Sequence, residues 1–312
     1  MTRIYWRSKE GLSPPPNARF SISPFIPGAP LPIDEIVHSL PFAKSAQIIH
    51  RIDSPNREEW THAVHRALRE IDSGNMKKVV LARETTLHLN ETVDPFQIAA
   101  ALPTKGAALF CVDFGNGAFL GATPERLFRK NGRIVQVEAM ASTRRKHQTA
   151  AEFLTAEKEQ REFQFVQHYL DQTLAPFCTA PLLYTPLSTH KTQTVEHLYT
   201  RGETALAPNV SEEVVLQALH PTPALCGTPK QAALQWIQES EPFQRGYYGG
   251  YLGWSNGAAS DYMVAIRCCL LQGRIAKLYT GTGIVAGSDP DAEWDELEAK
   301  LSLYKKVFQC GP

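Results

Sequence analysis

Leu109 to Ala122 reads LFCVDFGNGAFLGA, an apolar run, the triplet Gly115-Asn116-Gly117, and a second apolar run. Asn-Gly readily supplies the positive φ values of a tight turn, so the stretch predicts strands at about Leu109 to Asp113 and Ala118 to Ala122, folded back antiparallel. A second hairpin is expected at Asn131-Gly132. Upstream, Lys78-Val79-Val80-Leu81-Ala82 is β-branched and apolar; downstream, strands are expected around Gly249 to Trp254, Tyr262 to Leu271 and Ala276 to Tyr279.

Helical periodicity separates these strands. Ser54-Pro55 reads as a cap and first turn, followed by Trp60, Val64, Ala67, Leu68 and Ile71 at helical spacing until Gly74. From about Ala150 to Leu174 there is no glycine or proline, and Leu154, Phe163, Val166, Leu170 and Leu174 approximate one face, which predicts a single long helix. Another helix is expected near Lys230 to Glu239. A last one starts at Ser288-Asp289-Pro290 and runs through Trp294, Leu297, Leu301 and Tyr304. Hairpins mixed with helices, without regular alternation, predict an α+β fold of large, mainly antiparallel β-sheets layered with α-helices. Residues 1–53 carry Pro14, Pro15, Pro16, Pro24, Pro27, Pro30 and Pro32 and are expected to be an extended lead-in packing on the core, with residues 54–308 forming the main domain.

Composition narrows the function. The 32 basic and 32 acidic residues cancel, so nothing favours nucleic acid or an anionic membrane, and an anionic ligand must be held by local charge. The six cysteines, at 111, 178, 226, 268, 269 and 310, form no CxxC pair and no zinc spacing, as expected of reduced thiols in a cytoplasmic protein. The opening MTRIYWRSKEGLSPPP has no signal-like apolar run, and no stretch is apolar enough to span a membrane, so neither secretion nor insertion is expected.

Spacing alone gives modest chemical signals. Glu293, Glu296 and Lys300 share one face of the last helix, a pattern that also suits a solvated, salt-bridged surface. Glu162 lies in a charged run that reads mostly as solvated. Gly281-Thr282-Gly283 follows a strand and would let backbone N–H groups approach a carboxylate, but it is neither a Walker loop nor a dinucleotide fingerprint.

Taken together, seven blocks resemble the chorismate-utilising enzymes, the family of isochorismate, salicylate, anthranilate and aminodeoxychorismate synthases. They are KVVLAR from Lys78, GATPER from Gly121, HPTPALCGTPK from His220, RGYYG from Arg245, VAIR from Val264, GTGIV from Gly281, and Ser288-Asp289-Pro290 leading to Glu293, Glu296 and Lys300. Ala224-Leu225 resembles the version in isochorismate synthases, and Lys78 before the strand resembles members that use water as nucleophile. A salicylate synthase and a chorismate-binding protein without activity are the alternatives.

The resemblance implies reversible conversion of chorismate to isochorismate. Lys78 would be the base that activates water and Glu125 the acid that protonates the departing hydroxyl. The base needs a lysine shifted down from about 10.4 and the acid a carboxyl shifted up from about 4.3, and a shared low-dielectric pocket favours both. Mg2+ would be held by Glu162 and Glu296, with Glu293 nearby. His197, Ala224, Leu225, Tyr248, Arg267, Gly281 and Lys300 would contact substrate. No amidotransferase subunit is expected, and the sequence leaves open whether the product feeds menaquinone, siderophore or salicylate synthesis. Ala141-Ser142-Thr143 stands where the family often has Ala-Gly-Thr, so Ser142 is expected to offer a hydroxyl there. The segment before Ser54 is shorter than in most relatives, which leaves monomer and homodimer both open.

Overall fold

The computed structural model describes residues 1–144, 148–191, 196–304 and 307–310, and its strands gather into one sheet of ten and one of nine. The α+β class expected from the hairpins is the class observed. Pairing is antiparallel throughout except where Arg3–Arg7 meets Glu35–Val37 and where Ala46–Ser54 meets Phe308–Cys310.

The deciding hairpin forms as read, with Ala108–Asp113 against Ala118–Thr123. Gly115 adopts φ +86, and Phe114 N–H donates to the Gly117 carbonyl at 2.9 Å, closing the turn. The Asn131-Gly132 hairpin joins Arg126–Asn131 to Ile134–Ala141. The first hairpin belongs to the ten-stranded sheet and the second to the nine-stranded one, so the chain changes sheets at Pro124 and Glu125.

It changes sheets again downstream. Tyr262 to Leu271 is not one strand: Ala259–Val264 lies in the nine-stranded sheet and Cys268–Gln272 in the ten-stranded one. Between them Arg267 takes φ +51. A strand that joins two stacked sheets must bend at the corner, and apolar composition cannot reveal where.

Two helix expectations also need correction. Ser54 ends the strand Ala46–Ser54, and the cap of helix Arg57–Asp72 is Asn56, whose Oδ1 accepts from Glu58 N and Glu59 N while Glu59 reaches back to Asn56 N. The long helix is interrupted at Ala156 (ψ 122), giving Ala150–Thr155 and Glu157–Leu174. Thr149 caps the first piece, and the break lets the second turn its Phe163, Val166 and Leu170 onto Val135, Val137 and Ala139 of the nine-stranded sheet. The proline-rich start is extended as expected and enters both sheets, Arg3–Arg7 beside Ala108–Asp113 and Arg19–Ser23 beside Tyr251–Ser255.

At the centre of the ten-stranded sheet, Lys78–Leu89 pairs with Ile275–Ile284 over their whole common length, from Val79↔Ile284 to His88↔Ile275. The last helix, Pro290–Leu301, follows this ladder and is pinned to it by Arg83. That guanidinium is fully buried, donates to Glu298 at 2.7 Å and lies 4.2 Å over the Trp294 ring. Trp60 fastens the first helix to the same place, donating from Nε1 to the Pro290 carbonyl at 3.1 Å with its ring edge-on to Trp294. Trp60→Ala should therefore lower stability by about 3–5 kcal/mol, as large buried aromatics do. Chemical denaturation would show this, and a loss below about 1 kcal/mol would mean the two helices are held by something else.

Candidate active site

The corners and the central ladder surround a cleft lined by Lys78, Glu125, Glu162, His197, Ala224, Leu225, Tyr248, Arg267, Gly281, Glu296 and Lys300. Eleven of the twelve residues named from the sequence thus meet in one space. Glu293 is the exception: it stands behind the wall, where Thr282 Oγ1 donates to its carboxylate at 2.5 Å.

Lys78 could have been a solvated lysine at the start of a strand. Instead it is 2% exposed, and Nζ faces Glu162 Oε1 at 3.5 Å. Gly283 makes room for it, since a Cβ there would stand 2.7 Å from Lys78 Cε. Glu125 could have paired with neighbouring Arg126. Successive residues point to opposite sides, however, and Arg126 binds Asp261 at 2.7 Å, Glu138 at 3.2 Å and Glu10 at 2.9 Å. Glu125 is left buried and protonatable. Burial, reinforced by the nearby Glu138 charge, raises it to about 7 despite the opposing field of Arg267.

Arg267 is the complementary case. Its backbone carbonyl is fixed by Tyr304 Oη at 2.9 Å and Ala122 N at 3.2 Å, which holds the left-handed conformation. Its guanidinium makes no ion pair or hydrogen bond among the described residues, and burial lowers its pKa. A cation held out of water on the wall of a cleft is a receptor for an anion. Tyr248 stacks on Tyr279 at 5.4 Å and brings its hydroxyl to Gly281, where a Cβ would come within 2.5 Å of it.

Across the cleft, Lys300 donates to Glu296 Oε1 at 2.5 Å and to the Gly281 carbonyl at 2.7 Å. Burial works against the Glu296 carboxylate, yet Lys300, His197 and Arg267 hold its pKa below the usual value. Glu293 is raised, chiefly by burial, with its Thr282 hydrogen bond opposing. No group of three or more His, Cys, Asp or Glu side chains arranged to hold a metal occurs among the described residues. The two cleft carboxylates, Glu162 and Glu296, nevertheless suit Mg2+, which is commonly bound by one or two carboxylates with water and substrate completing the octahedron.

Sequence reading took the paired glycines of the Gly281-Thr282-Gly283 triplet as room for a carboxylate at the backbone but missed two other roles: Thr282 fixes Glu293 and Gly283 clears space for Lys78. Thr143, 3.5 Å from Glu296 Oε1, was missed as well. No local pattern marks these residues, because each acts across the fold. The ends of the HPTPALCGTPK block are structural. His220 Nε2 binds the Pro24 and Phe25 carbonyls, each at 3.0 Å, and Lys230 donates to the His220 carbonyl at 2.5 Å, leaving Ala224 and Leu225 to face the cleft.

Residues 34–308 match the family described as chorismate binding enzyme, and the chain belongs to that family. Among curated proteins it is 35% identical over 275 residues to the chloroplastic isochorismate synthase of Catharanthus roseus, covering 84% of this chain and 47% of that protein. It is 34% identical over 268 residues to the isochorismate synthase MenF of Escherichia coli (strain K12), covering 82% and 61%. The chain thus spans about half to three fifths of the length of these relatives. Its fold superposes on the solved structure of the menaquinone-specific isochorismate synthase MenF from Escherichia coli with a TM-score of 0.88, at 24% identity, covering 98% of this chain and 88% of that one. No helix among the described residues is long and apolar enough to cross a membrane.

His197 allows a direct check of the electrostatics. Nδ1 lies 2.7 Å from the Ser142 carbonyl, so it carries the proton and Nε2 is left as an acceptor. Burial, aided by Arg267, lowers its pKa to about 4. NMR titration should find this ring neutral down to about pH 4. Because the unfolded chain takes up the proton first, stability should fall as pH drops from the ordinary histidine value toward that point. A midpoint near the ordinary value would contradict the burial.

Proposed function

We propose that the chain is an isochorismate synthase: it binds chorismate and, reversibly, adds water at one ring carbon while hydroxyl leaves another. The observation that carries this reading is the pairing, in one cleft, of a buried lysine and a buried carboxyl raised to about 7, with an arginine beside them that has no ion pair among the described residues. The likeness to curated isochorismate synthases supplies the substrate.

In this reading Lys78 is the base that takes a proton from the attacking water, so the new ring oxygen remains as hydroxyl. Glu125 gives its proton to the departing hydroxyl, which leaves as water. The ring double bonds shift between the two positions, so no electrons are gained or lost, and the proton balance is restored when Lys78 and Glu125 exchange a proton with solvent. Arg267 and Tyr248 orient the enolpyruvyl carboxylate, the guanidinium offering paired donors in a fixed plane. The Ala224 and Leu225 side chains bound the ring, and His197 Nε2 accepts from a substrate hydroxyl. Glu162 and Glu296 would hold Mg2+, which supplies Lewis-acid polarisation of the ring carboxylate. Glu293 stands behind them, and Lys300 balances their charge. Water as nucleophile requires no amidotransferase partner.

Chorismate incubated with the protein and Mg2+ should yield isochorismate without pyruvate, the products being resolved by chromatography. Salicylate with pyruvate would instead identify a salicylate synthase, and no turnover would leave a binding protein. Lys78→Ala should lower kcat/KM by at least about a hundredfold while substrate still binds. Glu125 must be protonated to act as acid, so kcat/KM should fall as pH rises through about 7. The residual activity of Glu125→Gln should lack that limb. An unchanged limb in the variant would assign the titration to another group.

A further inference from the structure

Ser142 adopts φ +59, a left-handed conformation that disfavours any side chain with a Cβ, and it sits directly on the cleft. It is 7% exposed and held from three sides. Its carbonyl accepts from His197 Nδ1 at 2.7 Å, and its hydroxyl lies 2.8 Å from Glu162 Oε2 and 2.9 Å from the Glu159 carbonyl. A hydroxyl has one proton to give, and an ionised carboxylate is the stronger acceptor. The two oxygens of Glu162 are thereby made unequal. Oε2 is engaged by Ser142, whereas Oε1 faces the cleft, 3.5 Å from Lys78 Nζ and close to the open face of Gly283.

We propose that Ser142 is a positioning residue that makes Glu162 a one-oxygen ligand and so tunes the site for Mg2+ against larger divalent cations. The inference rests on the reading of Glu162 as a cation ligand. Mg2+ takes single carboxylate oxygens in a strict octahedron, while Ca2+ readily uses both oxygens of one carboxylate. With Oε2 already accepting a hydrogen bond, the two-oxygen mode is disfavoured. The same contact joins the end of strand Ile134–Ala141 to helix Glu157–Leu174, so the carboxylate is oriented before any cation arrives.

Calorimetric titration of the full chain with MgCl2 and, separately, with CaCl2 tests this without reference to turnover. Ser142→Ala keeps a Cβ in the left-handed backbone and removes the hydroxyl; Ser142→Gly removes both. In both variants the preference for Mg2+ over Ca2+ should fall by at least about fivefold, mainly through tighter Ca2+ binding. If Ser142→Ala does not fold, the ratio in Ser142→Gly decides. A preference unchanged within about twofold in the folded variants overturns the proposal and leaves the cation site intact. Where Ser142→Ala folds and is unchanged, a change in Ser142→Gly traces to backbone freedom and also overturns it. A wild-type chain that binds neither cation removes the underlying reading of Glu162 as a ligand.

Discussion

Two neighbouring stretches of chain pass from the ten-stranded sheet to the nine-stranded sheet side by side, and the site depends on that shared corner. Ala118–Thr123 pairs with Cys268–Gln272 in one sheet, and their continuations, Arg126–Asn131 and Ala259–Val264, pair in the other. Adjacent strands cannot bend at different places without breaking the ladder, so both turn together. The residues at the bend leave regular pairing, and their backbone groups must be satisfied otherwise. Val264 N donates to the Glu125 carbonyl at 3.0 Å, and Ala122 N and Tyr304 Oη donate to the Arg267 carbonyl. Freed from the ladder, Glu125 and Arg267 present their side chains to the cleft.

Around that corner, charge is balanced unequally. Glu296 has Lys300, Glu293 has Thr282 and Glu162 has Ser142, each within hydrogen-bond distance. Among the described residues Glu125 and Arg267 have no such partner, and burial displaces each toward its neutral form, the carboxyl upward and the guanidinium downward. Uncompensated groups of this kind are costly in a folded protein and are expected where a ligand or a proton transfer completes them.

Much of what surrounds the cleft is scaffold built from strong polar contacts. Arg245 donates to the carbonyls of Val80 and Leu225, each at 2.8 Å, and pairs with Glu241, whose Oε1 also accepts from Ala82 N. One buried arginine thus fixes the strand that begins at Lys78 and the loop that carries Leu225. Arg126 does the same for the second corner strand through Asp261 and Glu138, and Arg83 for the last helix through Glu298. These arginines share short motifs with cleft residues, which explains why the motifs extend beyond the groups that face substrate.

The sequence by itself determined the hairpins, the capped last helix and the mixed architecture, because turn residues and apolar periodicity act over a few positions. The seven blocks brought together nine residues that the fold does place around one cleft, and the family resemblance added Glu162 and His197 from outside them. Spacing alone gave only a shared acidic face at Glu293, Glu296 and Lys300, and it could not separate Glu293, which the fold puts behind the wall. Only the tertiary structure decided that Lys78 is buried, that Arg126 turns away from Glu125, that the strand through Arg267 breaks at a corner, and that Ser142 engages one oxygen of Glu162. Each of these depends on partners far away in the chain. Burial and hydrogen bonding are set by what packs across the sheets, and no local pattern records it.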